Sequence, residues 1–221
     1  MSASIPATNL YLGQARASPN VQECMSIYDK WAATYNDEVS NAAQDYVAPV
    51  LVAQAAIQHN FKSPIDPGDS VILDAGCGTG LVGHALALAS PKAIDGLDLS
   101  PAMLDVARQT GVYRHLAQAD LTRPIAPADD VYDIVVCVGT FTLGHVGPDP
   151  ALRELVRVTR PHGIVVATIL DAIWVSGGFQ AEVERLEAEK RVTVVAAELI
   201  DYVKGHGDKA MLVILEKTQS N

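Results

Sequence analysis

The period of apolar positions changes partway along the chain. Between Val21 and Val39, the residues Ile27, Tyr28, Trp31, Tyr35 and Val39 recur at spacings of one, three or four, which places them on one face of a helix. Ser18-Pro19 suits a cap followed by proline in the first turn, and Asn20 with Glu23 suits a capping box. A second helical region is predicted from about Ser40 to Asn60, interrupted or restarted at Pro49. Residues 1–18 carry weak pattern and predict a mobile tail. After the turn-forming run Pro64-Ile65-Asp66-Pro67-Gly68-Asp69 the signal alternates. Short apolar β-prone runs at Val71–Leu73, Ala93–Asp98, Tyr113–Ala119, Tyr132–Val138 and Ile164–Leu170 predict strands. Helical stretches follow most of them: Gly80–Ala89, Ser100–Gln109, Asp149 to before Pro161, and Gly178–Lys190. That alternation implies a parallel doubly wound sheet. The last two strands, Val192–Val203 and Ala210–Glu216, are joined by only Lys204-Gly205-His206-Gly207-Asp208. So short a link permits a hairpin and forbids a parallel crossover.

The stretch Val71 to Gly80, VILDAGCGTG, organises this pattern. A buried strand runs into a turn with Gly76, Gly78 and Gly80 at alternate positions, and a helix opens behind it. Glycine permits positive φ and lets a ligand approach the backbone, and N–H groups at a helix start favour a polar ligand above the turn. Gly78, Gly80 and Gly83 also satisfy the dinucleotide pattern G-x-G-x-x-G. Asp74, two residues before Gly76, instead suits a ligand with a cationic head and would repel a pyrophosphate. Asp98 ends the second strand, where a carboxylate can accept from two vicinal ribose hydroxyls; its bland alternative is a loop acid capping the next helix. Asp120 ends the third strand, where it can accept from an adenine amino group or serve as an ordinary turn acid.

Composition narrows the partners. Acids outnumber bases 26 to 16, for a net charge of −10, and no Lys/Arg-rich run occurs, which argues against nucleic acid or an anionic membrane surface. The three cysteines, Cys24, Cys77 and Cys137, have no metal spacing and fit a reducing compartment. No secretory signal or membrane-length apolar run is visible, so a cytoplasmic location is expected. A length of 221 residues suits one domain.

The ordered set Leu73-Asp74-Ala75-Gly76-Cys77-Gly78-Thr79-Gly80, Gly96-Leu97-Asp98-Leu99-Ser100 and Gln118-Ala119-Asp120 resembles the successive motifs of class I S-adenosylmethionine-dependent methyltransferases. Tyr132-Asp133-Ile134-Val135 and Val158-Thr159-Arg160-Pro161-His162-Gly163-Ile164 resemble the later ones. Tyr28 to Asn36, with Gly139 to Val146, resembles more narrowly the Williams–Beuren-region methyltransferase-like subgroup. The family implies a Rossmann-like α/β sheet of seven strands in the order 3-2-1-4-5-7-6, strand 7 antiparallel, which suits the late hairpin. It also implies a single methyltransferase domain over 19–221, with 19–62 a helical lid and 63–221 the core. By position, Gly76 and its turn would hold the methionyl part of S-adenosylmethionine, Asp98 the ribose, and Asp120 and Leu121 the adenine edge. Leu99 and Met103 would pack on the ring faces, and Cys137 and Val138 would line the floor near the sulfonium, as backbone more than as side chains. Cys77 is a common occupant of its position and is not read as a nucleophile.

Several roles stay open at this level. Tyr28, Trp31 and Tyr35 form either a core-packing stripe or a lid with aromatic faces near the cationic head. His145 is either a general base over the reacting methyl or a histidine bonding its own loop. Asp171 and Trp174 can face substrate on thinner grounds, while His162 and His206 read as solvated. The sequence implies a small, mostly apolar acceptor and leaves O, N and S open, along with the oligomeric state. Two rival readings are a cofactor-retaining protein that does not methylate, such as a cyclase, and an NAD(P)-dependent oxidoreductase.

Overall fold

A computed structural model describes residues 10–18, 21–39, 44–60, 67–143 and 146–219. Four helices come first: α1 (Leu10–Ala17), α2 (Val21–Trp31), α3 (Tyr35–Val39) and α4 (Ala48–Asn60). Then follow β1 (Val71–Ala75), α5 (Leu81–Ala87), β2 (Ala93–Asp98), α6 (Pro101–Gln109), β3 (His115–Gln118), β4 (Tyr132–Phe141) and α7 (Ala151–Val158). The chain continues through β5 (Thr159–Leu170), α8 (Asp171–Trp174), α9 (Phe179–Ala188), β6 (Val192–Val203) and β7 (Asp208–Lys217). The seven strands form one sheet in the order β3-β2-β1-β4-β5-β7-β6, as expected. β1 to β5 are parallel, and β7 runs antiparallel between β5 and β6.

The strands β1 and β4 are buried on both faces because helices cover each side. Ile72, Ile94, Ile134 and Val136 meet Val52 and Ala56 of α4 and Val82 and Leu86 of α5. Leu73, Val135, Cys137 and Ala167 meet Leu152 and Leu155 of α7 and Phe179, Val183 and Leu186 of α9. One polar device sits inside this packing. The buried Asp133 accepts from Val71 N–H at 2.8 Å and pairs with Arg160 at 2.8 Å, so its charge is compensated where β1 begins beside β4.

The N-terminal expectations need correction. The stretch read as a tail carries α1, which packs on α2; residues 1–9 lie outside the described residues. The single helix expected to Val39 breaks at Ala32–Thr34. Glu38 fixes that break: its Oε2 accepts from Trp31 Nε1 at 2.9 Å and its Oε1 from Thr34 Oγ1 at 2.6 Å. The second helix starts at Ala48, with Pro49 in its first turn, where a missing N–H costs nothing. The Pro19/Asn20 cap and the Pro64–Asp66 turn lie outside the described residues. β4 and β5 run longer than expected, and the short α8 was not foreseen.

Candidate active site

The carboxyl ends of β1, β2 and β3 and the loops that leave them converge on one cleft, partly open to solvent. Gly76 and Gly78 form one wall, with φ of 76° and 53°. The turn is tied to β2 because Gly76 and Cys77 N–H both donate to Leu97 O, at 2.7 and 2.9 Å. At Gly76 a side chain is excluded, since a Cβ would stand 2.0 Å from Thr140 Oγ1 at the tip of β4. The backbone therefore forms the wall there.

Asp98 closes this turn from the next strand. Its Oδ2 accepts from Gly78 N–H and its Oδ1 from Ser100 N–H, both at 2.8 Å. It is not the exposed helix cap of the bland reading, since Ser100 caps α6, and it lines the cleft. Each oxygen keeps a second lone-pair direction, so the acid can still accept from a diol. Burial pushes its carboxyl up, opposed by the N–H donors of Ser100 and Gly78. Asp120 also lines the cleft while anchoring its own turn: its Oδ1 accepts from Thr122 N–H at 2.9 Å and Thr122 Oγ1 at 2.7 Å. Leu99, Met103 and Leu121 supply apolar walls, and Val138 with Gly139 and Thr140 supplies the β4 side.

The N-terminal helices border the cleft through Tyr28 and Tyr35. Two hydrogen bonds tie them to the strand tips. Ser100, whose Oγ caps α6 by accepting from Met103 N–H at 3.2 Å, donates to Asp29 Oδ1 of α2 at 2.7 Å. Thr79 Oγ1 donates to Asn36 Oδ1 of α3. Burial raises the phenols of Tyr28 and Tyr35 well above their ordinary value, so both stay protonated.

Five expected cofactor contacts lie elsewhere. Asp74 is wholly buried beneath the turn, on the α5 face. Its Oδ2 accepts from Tyr113 Oη at 2.7 Å, its Oδ1 has no hydrogen-bond partner, and burial lifts its carboxyl to about 7. Tyr113 fills the space that Gly83 leaves, where a Cβ would sit 2.2 Å from its hydroxyl; the third glycine of the apparent dinucleotide pattern thus serves packing. Gly80 likewise packs on Tyr113 and Thr110 rather than on the cleft. Cys77 and Cys137 are buried thiols with pKa values pushed up by burial, Cys137 to about 12, which agrees with neither being a nucleophile. Trp31 is 2% exposed, stacked between Tyr11 and Tyr28 with Tyr35 on its edge. It lines a second cavity instead.

That second cavity, about 550 Å³, adjoins the first and shares Tyr28, Tyr35, Gly139 and Thr142 with it. Its other lining residues include Leu12, Val39, Gln44, Tyr46, Tyr202 and Val203. Of these, the sequence patterns singled out only Val39, as part of the α2–α3 stripe. The same holds for Cys24, Met25, Thr140 and Thr142 in the cleft: no motif flags them, because loop and lid packing alone brings them in. Only the Gly139–Val146 subgroup resemblance touched this loop. His145 lies outside the described residues. Asp171 is exposed, and Trp174 packs against the α7–α9 core; neither lines a cavity. The side chain of His162 is exposed and 3.5 Å from Glu216.

The residues present fit S-adenosylmethionine. The cleft offers a carboxylate at the ribose position, an apolar slot for a ring, and two acids for a cationic ligand. Among the described residues, no basic side chain lines it to meet a pyrophosphate. No described His, Cys, Asp and Glu cluster could hold a metal ion. No helix among the described residues is long and apolar enough to cross a membrane.

Known proteins give the same picture. A family model described as a methyltransferase domain matches residues 72–163. Methyltransferase-like protein 27 of Homo sapiens is 33% identical over 166 residues, 75% of this chain and 65% of its own. A malonyl-[acyl-carrier protein] O-methyltransferase of Serratia marcescens is 34% identical over 146 residues, 63% of this chain and 55% of its own. The crystal structure of a TehB-like SAM-dependent methyltransferase from Corynebacterium glutamicum superposes with a TM-score of 0.63 at 23% identity, over 87% of this chain and 99% of that one. Together these likenesses support a class I S-adenosylmethionine-dependent methyltransferase. It spans 55–65% of the length of the two curated relatives.

Proposed function

We propose that this chain holds S-adenosylmethionine in the strand-tip cleft and methylates a small molecule seated beside it. The observation that carries the reading is Asp98, which grips the glycine turn through Gly78 N–H and lines the cleft opposite Asp120 with no described base between them. Bound there, S-adenosylmethionine supplies a methyl group already activated on a sulfonium. The chain's part is to orient and to dry the site. Gly76 and Gly78 hold the ligand against backbone, Leu99, Met103 and Leu121 grip its ring, and Tyr28 and Tyr35 exclude water from above. In-line transfer needs the acceptor atom about 3–3.5 Å from the methyl carbon, so the acceptor would sit where the two cavities share Gly139 and Thr142. The acidic lining disfavours the NAD(P) reading. Residues 19–62 act as the lid. Three free, buried cysteines suit a reducing compartment such as the cytoplasm.

Isothermal titration of the full chain with S-adenosylmethionine and with NAD(P) tests the reading. Binding of the first and none of the second is expected. Hydrogen bonds to a charged group contribute about 1.5–3 kcal/mol each, so losing two makes Asp98→Ala bind at least about 100-fold more weakly; unchanged affinity would refute the ribose role. Labelled cofactor mixed with a metabolite extract should give a product one methyl heavier together with S-adenosylhomocysteine. Tight binding without that release would support a cofactor-retaining protein instead.

A further inference from the structure

The second chamber has a chemistry distinct from the cofactor cleft. Residues 44–47 join the end of β6: Val47 N–H donates to Tyr202 O at 3.2 Å, Lys204 N–H to Asp45 O at 3.1 Å and Gly205 N–H to Gln44 O at 2.9 Å. This pairing, with an antiparallel bridge at Tyr46 and Val203, lays Tyr46 edge-on against Tyr202, centroids 5.2 Å apart at 74°. Their hydroxyl oxygens lie 3.5 Å from each other. Both face Gly139, where an added Cβ would stand 2.9 Å from Tyr46 Oη and 3.5 Å from Tyr202 Oη. Gly139 sits at φ 80° in an irregularity of the β4–β5 register, between Cys137 and Phe141. Bulges of this kind re-aim chain next to active sites. Gly139 lines both the cleft and the chamber, and its missing side chain leaves room at the wall they share.

The chamber's lining is selective. Five aromatic rings surround it: Tyr28, Trp31, Tyr35, Tyr46 and Tyr202. None of its described lining residues is charged. An ionised ligand group would lose its water there and find no counter-charge, which costs several kcal/mol or forces neutralisation. A flat uncharged ring loses little and gains stacked contact.

We propose that this chamber seats the methyl acceptor as an uncharged, flat, ring-sized molecule, with its polar atom held by the Tyr46–Tyr202 hydroxyl pair at the Gly139 opening. The proposal rests on the methyl-transfer reading above. Each hydroxyl can donate and accept, so the pair can turn the acceptor's lone pair toward the opening. Burial, reinforced by Tyr202 beside it, keeps the Tyr46 phenol protonated; it orients and takes no proton. The acceptor's lone pair forms the new bond to the methyl carbon as the carbon–sulfur bond breaks. The positive charge passes from sulfur to the acceptor atom, and any proton that atom carried leaves to water.

The test uses the full chain saturated with S-adenosylhomocysteine, and four probes titrated by ligand-observed NMR: phenol, indole, benzoate and benzylamine. Phenol and indole should bind, and benzoate and benzylamine should bind at least 10-fold more weakly. Tyr46→Phe and Tyr202→Phe should each weaken phenol about 3–10-fold, as loss of one hydrogen bond implies, and leave S-adenosylhomocysteine affinity within twofold. Equal or tighter binding of a charged probe, no detectable binding of phenol or indole, or two silent hydroxyl deletions would overturn the proposal. The probe selectivity is read on the unaltered chain, so it decides even where a variant does not fold. Failure of S-adenosylhomocysteine itself to bind would sink the cofactor reading; its binding without probe selectivity would sink the chamber alone.

Discussion

At the strand tips, Gly78, Asp98 and Asp120 meet because β1, β2 and β3 are neighbours in one parallel sheet and each residue ends or leaves its strand. Beside them, Tyr46 of the segment before α4 and Tyr202 of β6 meet across 156 residues of chain, through a pairing that only the folded molecule has. The first half is built largely from backbone, with glycines and acids at fixed offsets from a strand end. The second is built from side chains whose positions depend on how helices and loops pack. On the function proposed above, the contrast assigns the strand tips to the cofactor and the surface around Tyr46 and Tyr202 to the acceptor.

The largest effect that would break this contrast concerns Trp31. It is buried among Tyr11, Tyr28 and Tyr35 and donates to Glu38, all on the N-terminal helices α1 to α3. Trp31→Ala should cost about 3–5 kcal/mol, borne by α2 and α3. Hydrogen exchange should then show faster amides in those helices and unchanged protection in β1, β4 and β5. S-adenosylhomocysteine affinity should fall less than it does for Asp98→Ala. If the sheet amides loosen equally, lid and core are one cooperative unit and the division is wrong.

Asp74 sharpens the contrast from the other side, because it supports the turn without touching the cleft. Its carboxyl is raised to about 7 by burial. Between its ordinary value of 3.8 and about 7, the folded chain keeps a proton that the unfolded chain has lost. Stability therefore falls as pH rises through that window, at most by about 1.36 kcal/mol for each pH step of one. Asp74→Asn removes this loss. The melting temperature of the cofactor-free variant, relative to the parent, should climb from pH 4 to pH 7.5 and level off above. A difference that stays flat across that range would show that Asp74 is not held neutral in the fold.

Much of the core was legible. Apolar runs of strand length, the glycine turn and the short last link led to alternating strands and helices ending in a hairpin, while the seven-strand order and the antiparallel β7 came with the family resemblance. Asp98 and Asp120 were legible because each was read at a strand end, whereas Leu99, Met103 and Leu121 came only with the family resemblance; all five line the cleft. Asp74, Gly80 and Gly83 misled for a physical reason: a strand-end acid and a turn glycine look alike whether they meet a ligand or the Tyr113 ring, and Tyr113 lies 39 residues from Asp74. The break between α2 and α3 was hidden because the aromatic spacing continues across it while Glu38 reaches back to Trp31 and Thr34. Tyr46 and Tyr202 carried no local signal at all.

The smallest effect decides between the two readings of Asp120. Thr122 donates its hydroxyl and its N–H to the same oxygen of that acid, at 2.7 and 2.9 Å. Arg123 lies 3.5 Å from the other oxygen, but it is so exposed that the pair contributes little. Thr122→Val keeps the shape and the N–H and removes one donor, a net change of about 0.5–1.5 kcal/mol. If Asp120 only holds its turn, the melting temperature slips slightly and S-adenosylmethionine affinity stays where it was. If the acid also meets the adenine edge, a carboxylate freed to swing pays an ordering cost on binding, and affinity falls about 2–5-fold, as that energy implies. Asp120→Asn, which keeps an acceptor oxygen for Thr122, should then weaken binding more than Thr122→Val does. The reverse order in a calorimetric titration would return Asp120 to the turn and leave Asp98 as the acid on which cofactor binding depends.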